Sequence, residues 1–248
     1  MKPNYIIIGV QKSATTSAIS YLNQHPDIFC NWGELHFFDL NKHYKNGINW
    51  YETKLAKNNK YKKKIIGVKT PFYIFSKKSI DRIHKHYPNI KLLIFLRDPV
   101  TRAFSQYNHM VQESEKNDTG FRMKINPKTT LKQIIDKDLK RKIISKQRTI
   151  IQRGFYIDQI NYVLTKFPRN NIKIIIAEWY KQNPLKWNNE IYKFLGTFPL
   201  KKIKTEMQHV RQYHIEQKQS DMKRLIKIYK PYNEKLFKFL GYRIKEWM

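Results

Sequence analysis

A lysine and several hydroxyl side chains are clustered in a short turn near the start of the chain. The turn occupies residues 9–16 and directly follows the apolar run of residues 5–8. A helix that includes Ser17 is predicted to begin directly after the turn. A helix N-terminus directs unpaired backbone N–H groups and the positive end of its dipole at one point. Because Lys12 adds a full positive charge, the sequence predicts an anion-binding loop.

This loop differs from the phosphate-binding loop of nucleotide triphosphatases, which has the pattern G-x-x-x-x-G-K-[ST]. Lys12 comes three residues after Gly9, and no Gly-Lys-Ser/Thr follows. Those enzymes also use an acidic residue after a nearby strand to help hold magnesium. Asp98 follows such a strand, but Pro99 comes next, and Asp-Pro is typical of a helix N-cap and first helical residue. The sequence therefore predicts that lysine neutralises the ligand and that no metal ion is bound.

Two further basic residues follow predicted strands. Lys69 follows one strand and Arg97 follows another, while the turn at residues 9–16 follows a third. Ligands of doubly wound sheets lie beyond the carboxyl ends of the strands, so these groups are expected to converge. Arg97 at a buried strand end needs an anionic partner, either a ligand or an internal pair with Asp98 or a glutamate. Ser105, about two helical turns farther on, could face the same ligand.

Three segments of the chain together resemble one family, the sulfotransferases that use 3′-phosphoadenosine 5′-phosphosulfate (PAPS). Residues 8–16 resemble the loop that binds the 5′-phosphosulfate, and residues 97–107 resemble the 3′-phosphate motif R-D-P-x-x-R-A-x-S-x-Y. Residues 34–39 are similar to the acidic–histidine segment of the heparan sulfate branch. Shorter likenesses at residues 153–156 and 231–236 extend the resemblance over most of the chain. It implies a nucleotide-binding enzyme active in carbohydrate sulfation.

The resemblance also implies which residues hold the donor. PAPS would be a consumed co-substrate, released as 3′-phosphoadenosine 5′-phosphate (PAP), and related enzymes need no metal. The implied donor contacts are Lys12, Ser13, Ala14, Thr15, Thr16, Ser17, Arg97, Ser105, Arg153 and Arg211. The loop residues among them would bind the 5′ end, and Arg97, Ser105 and Arg153 the 3′-phosphate side. For the loop hydroxyls, capping of the helix N-terminus is the structural alternative.

The catalytic groups are implied in the same way. The resemblance assigns the general base to Glu34, which would remove the acceptor proton as the new bond forms. His36 and Asp39 would orient the acceptor or the carboxylate, and Lys12 and Lys69 would stabilise the transferring group from opposite sides. A packed aromatic segment with a satisfied histidine is the alternative for His36, and a surface lysine is the alternative for Lys69.

Two positions depart from the family pattern. Gly33 stands before Glu34, where the family often has lysine, so one positive neighbour of the carboxylate is missing. Arg211 lies in a segment that lacks the glycine of the family's basic loop, which closes over the nucleotide.

The chain is strongly basic, with a formal net charge of +30 over 248 residues. Patches of lysine and arginine bind polyanions, so the composition alone allows a nucleic-acid partner. However, the excess is mostly lysine, accompanied by many isoleucines, asparagines and tyrosines, a pattern that an AT-rich genome produces regardless of ligand. We therefore expect a small-molecule or glycan acceptor and no nucleic acid. A basic surface would help to capture either PAPS or an anionic acceptor.

The sequence predicts neither a membrane segment nor a disulfide. No apolar run reaches the eighteen residues of a transmembrane helix, and the amino terminus has no signal-like stretch. The single cysteine, Cys30, excludes an intramolecular disulfide and suits a reducing compartment. A cytoplasmic enzyme is the expectation, in contrast to the Golgi-anchored heparan sulfate sulfotransferases.

Short apolar strands alternate with helical patterns along the chain, which indicates an α/β fold with a mainly parallel sheet. Strands are predicted at residues 5–9, 64–68, 91–96 and 171–177. Helices are predicted from the loop to residue 25 and at residues 79–87, 99–112, 131–145, 157–167, 184–195 and 220–240, the last with a break at Pro231. The predicted fold class is a P-loop-like central parallel β-sheet flanked by helices, in a single domain of residues 1–248.

Three functions follow from these patterns. The leading hypothesis is a PAPS-dependent sulfotransferase that moves a sulfuryl group in line to an acceptor hydroxyl or amine on a carbohydrate. The alternatives are a P-loop kinase acting on a small molecule and a non-catalytic, basic nucleic-acid-binding protein. The missing Gly-Lys-Ser/Thr argues against the kinase, and the absence of a recognition module argues against the nucleic-acid binder.

Overall fold

A computed structural model of the chain describes residues 1–59, 62–115, 125–140, 149–205 and 215–248. By their internal contacts the residues form two compact units, which we describe separately. The sheet unit contains residues 1–96 and 160–210, and the helical unit contains residues 97–159 and 211–248. The assignment of residues 1–248 to a single domain stays a prediction.

Five parallel strands form the sheet, in the spatial order β2-β3-β1-β4-β5. The strands are β1 (Tyr5–Gly9), β2 (Ile28–Cys30), β3 (Ile65–Lys69), β4 (Lys91–Leu96) and β5 (Ile172–Ile176). Most strand residues are buried, as expected for runs of apolar residues in a parallel sheet covered on both faces. The predicted α/β class with a parallel sheet is confirmed. The three-residue edge strand β2 is not among the predicted strands, because so short a run has no readable periodicity.

Ten α-helices occur in the described ranges of the chain. They are α1 (Thr15–Leu22), α2 (Asn41–Tyr44), α3 (Gly47–Asn58), α4 (Lys77–His86), α5 (Pro99–Glu115), α6 (Leu131–Lys140), α7 (Tyr156–Leu164), α8 (Ala177–Gln182), α9 (Pro184–Leu195) and α10 (Gln219–Leu240). Gly196 ends α9 in the left-handed conformation, which glycine adopts readily at helix C-termini. Where the structure is described, no helix is both long and apolar enough to cross a bilayer.

The core of the sheet unit forms where β1 packs against its neighbours and α1. Tyr5, Ile7 and Leu93 are fully buried in this cluster, together with Ala18 and Leu22 of α1. The ring of Tyr5 crosses Gly67 of β3 so closely that a Cβ at Gly67 would lie 2.0 Å from the Tyr5 Cζ atom. The glycine is therefore needed for close approach, and it fixes the path of β3 two residues before Lys69.

The helical unit is built around α5, α6 and α10. Its core contains Phe104 and Met110 of α5 with Leu225 and Tyr229 of α10. The expected break at Pro231 is wrong, because α10 runs without interruption from Gln219 to Leu240. Pro231 costs the helix one backbone hydrogen bond, but buried side chains lie on both sides of it and stabilise the helix.

Candidate active site

The loop between β1 and α1 has the backbone shape of an anion-binding nest. Lys12 and Ala14 adopt positive φ angles of 69° and 60°, and alternation of left- and right-handed residues turns successive N–H groups toward one point. Ala14 is the N-cap of α1 and makes no side-chain capping bond. No loop hydroxyl therefore caps the helix from the N-cap position. The first N–H groups of a helix can bind an anion.

One buried hydroxyl in this loop fits an anionic ligand. Ser13 is fully buried, and its Oγ has no hydrogen-bond partner among the described residues. A buried hydroxyl without a partner is unfavourable by about 1–3 kcal/mol, so an oxygen-rich ligand at this loop would remove that cost. Thr15 is also buried, whereas Thr16 and Ser17 are half-buried. These residues suit the 5′-phosphosulfate of PAPS, although their individual contacts stay predictions.

Gly9 sets the direction in which the chain leaves β1. A Cβ at Gly9 would lie 2.3 Å from the Ile74 Cγ2 atom and 3.3 Å from the Pro71 carbonyl oxygen. Val10 donates its N–H to the Phe95 carbonyl at 2.8 Å, so the chain stays tied to β4 as it enters the loop. Only a residue without a side chain fits at Gly9. This close packing fixes the path by which the chain enters the loop.

Four charged or titratable side chains form a chain of contacts at the carboxyl ends of β2 and β3. The Lys69 Nζ lies 3.2 Å from the Glu34 Oε1, and the Glu34 Oε2 lies 3.4 Å from the His36 Nε2. The His36 Nδ1 is 2.8 Å from the Asp39 Oδ2. The structure thus brings together the predicted base, one predicted catalytic lysine and the predicted orienting histidine.

The burial of these side chains distinguishes their roles. The Lys69 side chain is 8% exposed, whereas the Glu34 side chain is 29% exposed. The alternative of a surface lysine is wrong for Lys69, because its side chain is buried. A buried ammonium group needs a charged partner, and Glu34 is that partner. Glu34 is held by its neighbours yet open to solvent on one side, so an acceptor molecule can reach it.

The sheet aligns the segment that carries Glu34 with the strand that carries Lys69. Cys30 of β2 pairs with Gly67 of β3, and the next residue, Asn31, donates its N–H to the Gly67 carbonyl at 2.9 Å. Lys69 is the last residue of β3 and pairs with Ile7 of β1. Lys69 therefore lies in register between the strand leading to the loop and the strand leading to Glu34.

Buried aromatic residues fix the segment beyond Glu34. The backbone N–H groups of Phe37 and Phe38 point to the Tyr73 hydroxyl at 3.1 and 3.3 Å. Burial raises the pKa of the Tyr73 phenol, so it remains neutral at ordinary pH. His36 adopts a φ of 47°, and its ring nitrogens contact Asp39 and Glu34. The aromatic packing predicted for this segment is present, but the histidine itself lies among the carboxylates.

The helical unit contains the residues of the predicted 3′-phosphate motif. Arg97 is half-buried, and its carbonyl accepts a hydrogen bond from the Tyr156 hydroxyl at 2.8 Å. Asp98 accepts the Thr101 N–H at 2.9 Å, which confirms that it caps α5. Ser105 is buried within α5. That Arg97 and Ser105 bind the 3′-phosphate, and that they share a ligand with the loop, stay predictions.

Two arginines of the helical unit are deeply buried. Arg102 is fully buried and donates to the Gln106 Oε1 at 2.6 Å and to the Ile150 carbonyl at 2.5 Å. Burial, and then the charge of Arg102, lower the pKa of Arg153 to about 9, against the opposing effect of Asp138. A nucleotide contact by Arg153 stays a prediction, and Arg211 lies outside the described residues.

Some functional positions were missed by sequence reasoning. Tyr73 anchors the segment after Glu34, and Asn31 joins β2 to α3 by accepting the Asn58 side-chain N–H at 2.7 Å. Nothing in the local sequence marks either contact, because both partners are more than twenty residues away. Over the described ranges, no group of three His, Cys, Asp or Glu side chains is arranged to hold a metal ion.

Comparison with known proteins gives the same family for the whole chain. The family described as the sulfotransferase domain matches residues 2–243. Mouse heparan sulfate glucosamine 3-O-sulfotransferase 5 is 30% identical over 201 residues, covering 79% of this chain and 54% of the relative. The Dictyostelium discoideum membrane-associated sulfotransferase kil1 is 38% identical over 116 residues, covering 46% of this chain and 24% of the relative. The chain thus spans about half the length of the mouse relative.

Solved structures support the fold. A sulfotransferase from Alicyclobacillus acidocaldarius has a TM-score of 0.76 at 23% identity, covering 100% of this chain and 99% of the other. Mouse sulfotransferase SULT7A1, solved in complex with PAP, has a TM-score of 0.51 at 14% identity, covering 92% of this chain and 64% of the other. At these identities the likeness establishes the architecture alone.

Proposed function

Since the chain belongs to the sulfotransferase domain family, we propose that it transfers a sulfuryl group from PAPS to a hydroxyl or amine on a carbohydrate acceptor. The observation that carries this proposal is the position of Glu34, held between Lys69 at 3.2 Å and His36 at 3.4 Å and still open to solvent. The 30% identity to a heparan sulfate 3-O-sulfotransferase supports a carbohydrate as the acceptor.

Glu34 acts as the general base of the proposed reaction. As the acceptor oxygen or nitrogen bonds to sulfur, its proton passes to a carboxylate oxygen of Glu34. A positioned base of this kind accelerates a reaction by about 10²–10⁴-fold. Bound PAPS supplies the sulfuryl group, whose bond to the bridging oxygen breaks as PAP leaves.

Lys69 and Lys12 supply the positive charge for this transfer. Lys69 pairs with Glu34 at 3.2 Å and presents an ammonium group that offsets negative charge on the transferring group. Lys12, on the loop after β1, offsets the charge that develops on the leaving oxygen. Fixed cations in a partly dry site are effective because they do not reorganise during the reaction. Ser13 and the first N–H groups of α1 would hold the 5′-phosphosulfate.

His36 orients the base in this mechanism. Asp39 holds the His36 Nδ1 at 2.8 Å, which directs the Nε2 to Glu34. The Asp39 side chain is only 5% exposed, so its position is fixed by packing. His36 therefore fixes the orientation of the Glu34 carboxylate beside the acceptor.

Ligand-induced stabilisation tests the donor part of the proposal. We expect PAP at a hundredfold excess over its Kd to raise the melting temperature by about 5–10 °C. ATP with magnesium or a twenty-base single-stranded DNA should have a much smaller effect. Arg97→Ala should abolish the preference for PAP, whereas Arg243→Ala, which removes an exposed arginine paired with Glu234, should not. Stabilisation by ATP with magnesium and not by PAP would contradict the proposal.

A further inference from the structure

Helix α10 carries a row of lysines on its exposed face, which we call the lysine stripe. Its four members are all exposed: Lys223, Lys227, Lys230 and Lys238. At about 100° and 1.5 Å per residue, they fall within an arc of about 80° and extend over about 22 Å of the helix. The buried residues Leu225 and Tyr229 lie on the opposite side of α10.

The acidic residues around the stripe are neutralised by arginines. Glu234 is the one acidic residue on the exposed face of α10, and Arg243 donates to both of its carboxylate oxygens at 2.7 Å. These hydrogen bonds lower the pKa of Glu234, with a smaller effect from the charge of Lys230. Asp136 of α6 pairs with Arg224 of α10 at 2.6 Å. Because the arginines neutralise these carboxylates, the lysines keep most of their positive charge.

Elsewhere in the described ranges, acidic residues pair with lysines. Glu190 of α9 lies 3.0 Å from the Lys173 Nζ, and Asp81 of α4 lies 3.4 Å from the Lys166 Nζ. A lysine-rich composition adds lysines to every surface, but it does not by itself leave a row of them without carboxylate partners. The position of the lysines on α10 is therefore more informative than their number.

The stripe is unfavourable for the helix on its own. Lys223 and Lys227 are four residues apart, and Lys227 and Lys230 are three residues apart. Like charges at these spacings repel each other on a helix surface and destabilise it. An anion that lies along α10 would remove this repulsion, so a negatively charged partner fits this face.

The length and polarity of the stripe indicate a linear polyanion. A small anion would contact one or two of the lysines, whereas a chain of negative charges can contact all four. A membrane surface fits less well, because a helix that binds a bilayer buries an apolar face in it. The apolar face of α10 is already buried in the helical unit, and Ile226 is the one large apolar side chain that this helix exposes.

We propose that the lysine stripe binds an anionic polysaccharide, the part of the acceptor chain outside the sugar that reacts. This inference rests on the proposed function, in which the acceptor is a carbohydrate. Carboxylate and sulfate groups along the chain pair with the four ammonium groups, and counterions are released. Each sulfuryl transfer adds a negative charge to the chain, so a partly sulfated chain binds the stripe more tightly than an unmodified one.

Steady-state rates with two acceptors of different length test the stripe. One is an N-sulfated polysaccharide of alternating glucuronic acid and glucosamine, and the other is a tetrasaccharide of the same repeat. We expect the combined substitutions Lys223→Gln, Lys227→Gln and Lys230→Gln to raise the KM of the polysaccharide about tenfold at low salt, with kcat changed little.

The tetrasaccharide is the internal control of this experiment. Its KM should be unchanged in the triple variant, since a tetrasaccharide is too short to fill the active site and also cover a stripe about 22 Å long. An equal rise in KM for both acceptors would show that the lysines act only through the general field of the protein, and would overturn the proposal.

A matched triple variant separates the stripe from the net charge. Lys193→Gln, Lys201→Gln and Lys202→Gln remove three exposed lysines of the sheet unit and the same total charge. This variant should leave the KM of the polysaccharide unchanged. Lys235→Gln removes an exposed lysine of α10 that lies outside the arc of the stripe, and it should also have no effect. Equal effects of the two triple variants would overturn the role of the stripe.

Calorimetry with the PAP-saturated protein gives a readout without turnover. In the stripe triple variant the Kd of the polysaccharide should rise about tenfold, and the slope of log Kd against log salt concentration should fall by about two to three. Lys227→Glu, a single reversal of charge within the stripe, should raise this Kd about fivefold. The Kd of PAP should be unchanged, and the melting temperature should not fall, because the triple variant removes like-charge pairs.

The outcomes distinguish this inference from the proposed function. If the wild type sulfates the tetrasaccharide but the stripe variants have a normal KM and Kd for the polysaccharide, the stripe is wrong and the proposed function stands. If these variants lose binding to phosphatidylserine vesicles but keep the polysaccharide, the partner is a membrane and the proposal is overturned. If the wild type neither binds nor sulfates any saccharide, the carbohydrate acceptor and the stripe both fail.

Discussion

Replacement of Gly9 by alanine would perturb the loop without removing any functional side chain. The new Cβ would lie 2.3 Å from the Ile74 Cγ2 atom, 3.1 Å from the Ile74 Cβ and 3.3 Å from the Pro71 carbonyl oxygen. Contacts below 3.0 Å require movement, and Ile74 is 3% exposed, so it has little room to move. The loop after β1 must therefore shift away from its present course.

The size of the effect follows from this overlap. Overpacking of this kind costs about 1–3 kcal/mol, which for a chain of this length lowers the melting temperature by about 3–10 °C. Because Lys12 and Ser13 lie on the displaced segment, the Kd of PAP should rise about tenfold or more. Gly33→Ala is the matched control, since its added Cβ would meet nothing nearer than 3.8 Å.

A double-mutant cycle identifies the cause. Ile74→Ala removes the Cγ2 atom and leaves the Ile74 Cβ at a tolerable 3.1 Å from the new methyl group. The destabilisation by Gly9→Ala, measured by urea unfolding, should therefore be about 1–2 kcal/mol smaller in the Ile74→Ala background. Additive effects of the two substitutions, or normal stability and PAP affinity in Gly9→Ala alone, would refute the packing argument.

Three further predictions concern buried charge and metal. Lys69→Met should lower kcat by about 10²–10³-fold with PAP affinity largely retained, and a normal kcat in steady-state assays would exclude Lys69 from the reaction. Arg102→Met leaves the Gln106 and Ile150 oxygens without their donor and should lower the free energy of unfolding by about 3–5 kcal/mol, so unchanged urea unfolding would contradict it. Chelation with EDTA should leave the rate of sulfuryl transfer unchanged, because Lys12 and Lys69 supply the positive charge, and a loss that magnesium restores would disprove this.

Much of the sheet could be predicted from the sequence. Four of the strands, β1, β3, β4 and β5, are apolar runs of five or six residues bounded by turn residues. Such runs can be recognised in the sequence, because both faces of a parallel sheet are buried and its strands are therefore continuously apolar. The short strand β2 and the helix α3 were missed. Strand β2 has three residues, and α3 has only two buried residues, so neither has a clear hydrophobic pattern.

The candidate site, like the fold, was predicted from the sequence only in part. The resemblance to the PAPS-dependent sulfotransferases implied Glu34, His36 and Lys69 as candidates. In the structure Glu34 lies 3.2 Å from Lys69 and 3.4 Å from His36. The burial of Lys69 and the anchoring of the Glu34 segment by Tyr73 depend on contacts between distant residues. Such contacts arise from tertiary packing, so no local pattern in the chain could have predicted them.

The expected break at Pro231 was wrong for a related physical reason. Proline is unfavourable inside an isolated helix by about 3 kcal/mol. In α10, Tyr229 and Asn233 on either side of Pro231 are buried in the helical unit, and this packing outweighs the local cost. Helix propensity is a weak guide wherever one face of a helix is fixed by the core.

The most direct test of the central claim is the turnover of Glu34→Gln. The amide keeps the size of the side chain and can still accept from Lys69, but it cannot take a proton. With radiolabelled PAPS and an N-sulfated hexasaccharide, we expect kcat to fall by about 10²–10⁴-fold while the Kd of PAP changes less than about twofold. Wild-type turnover by Glu34→Gln, at normal PAP affinity, would contradict the assignment of Glu34 as the base.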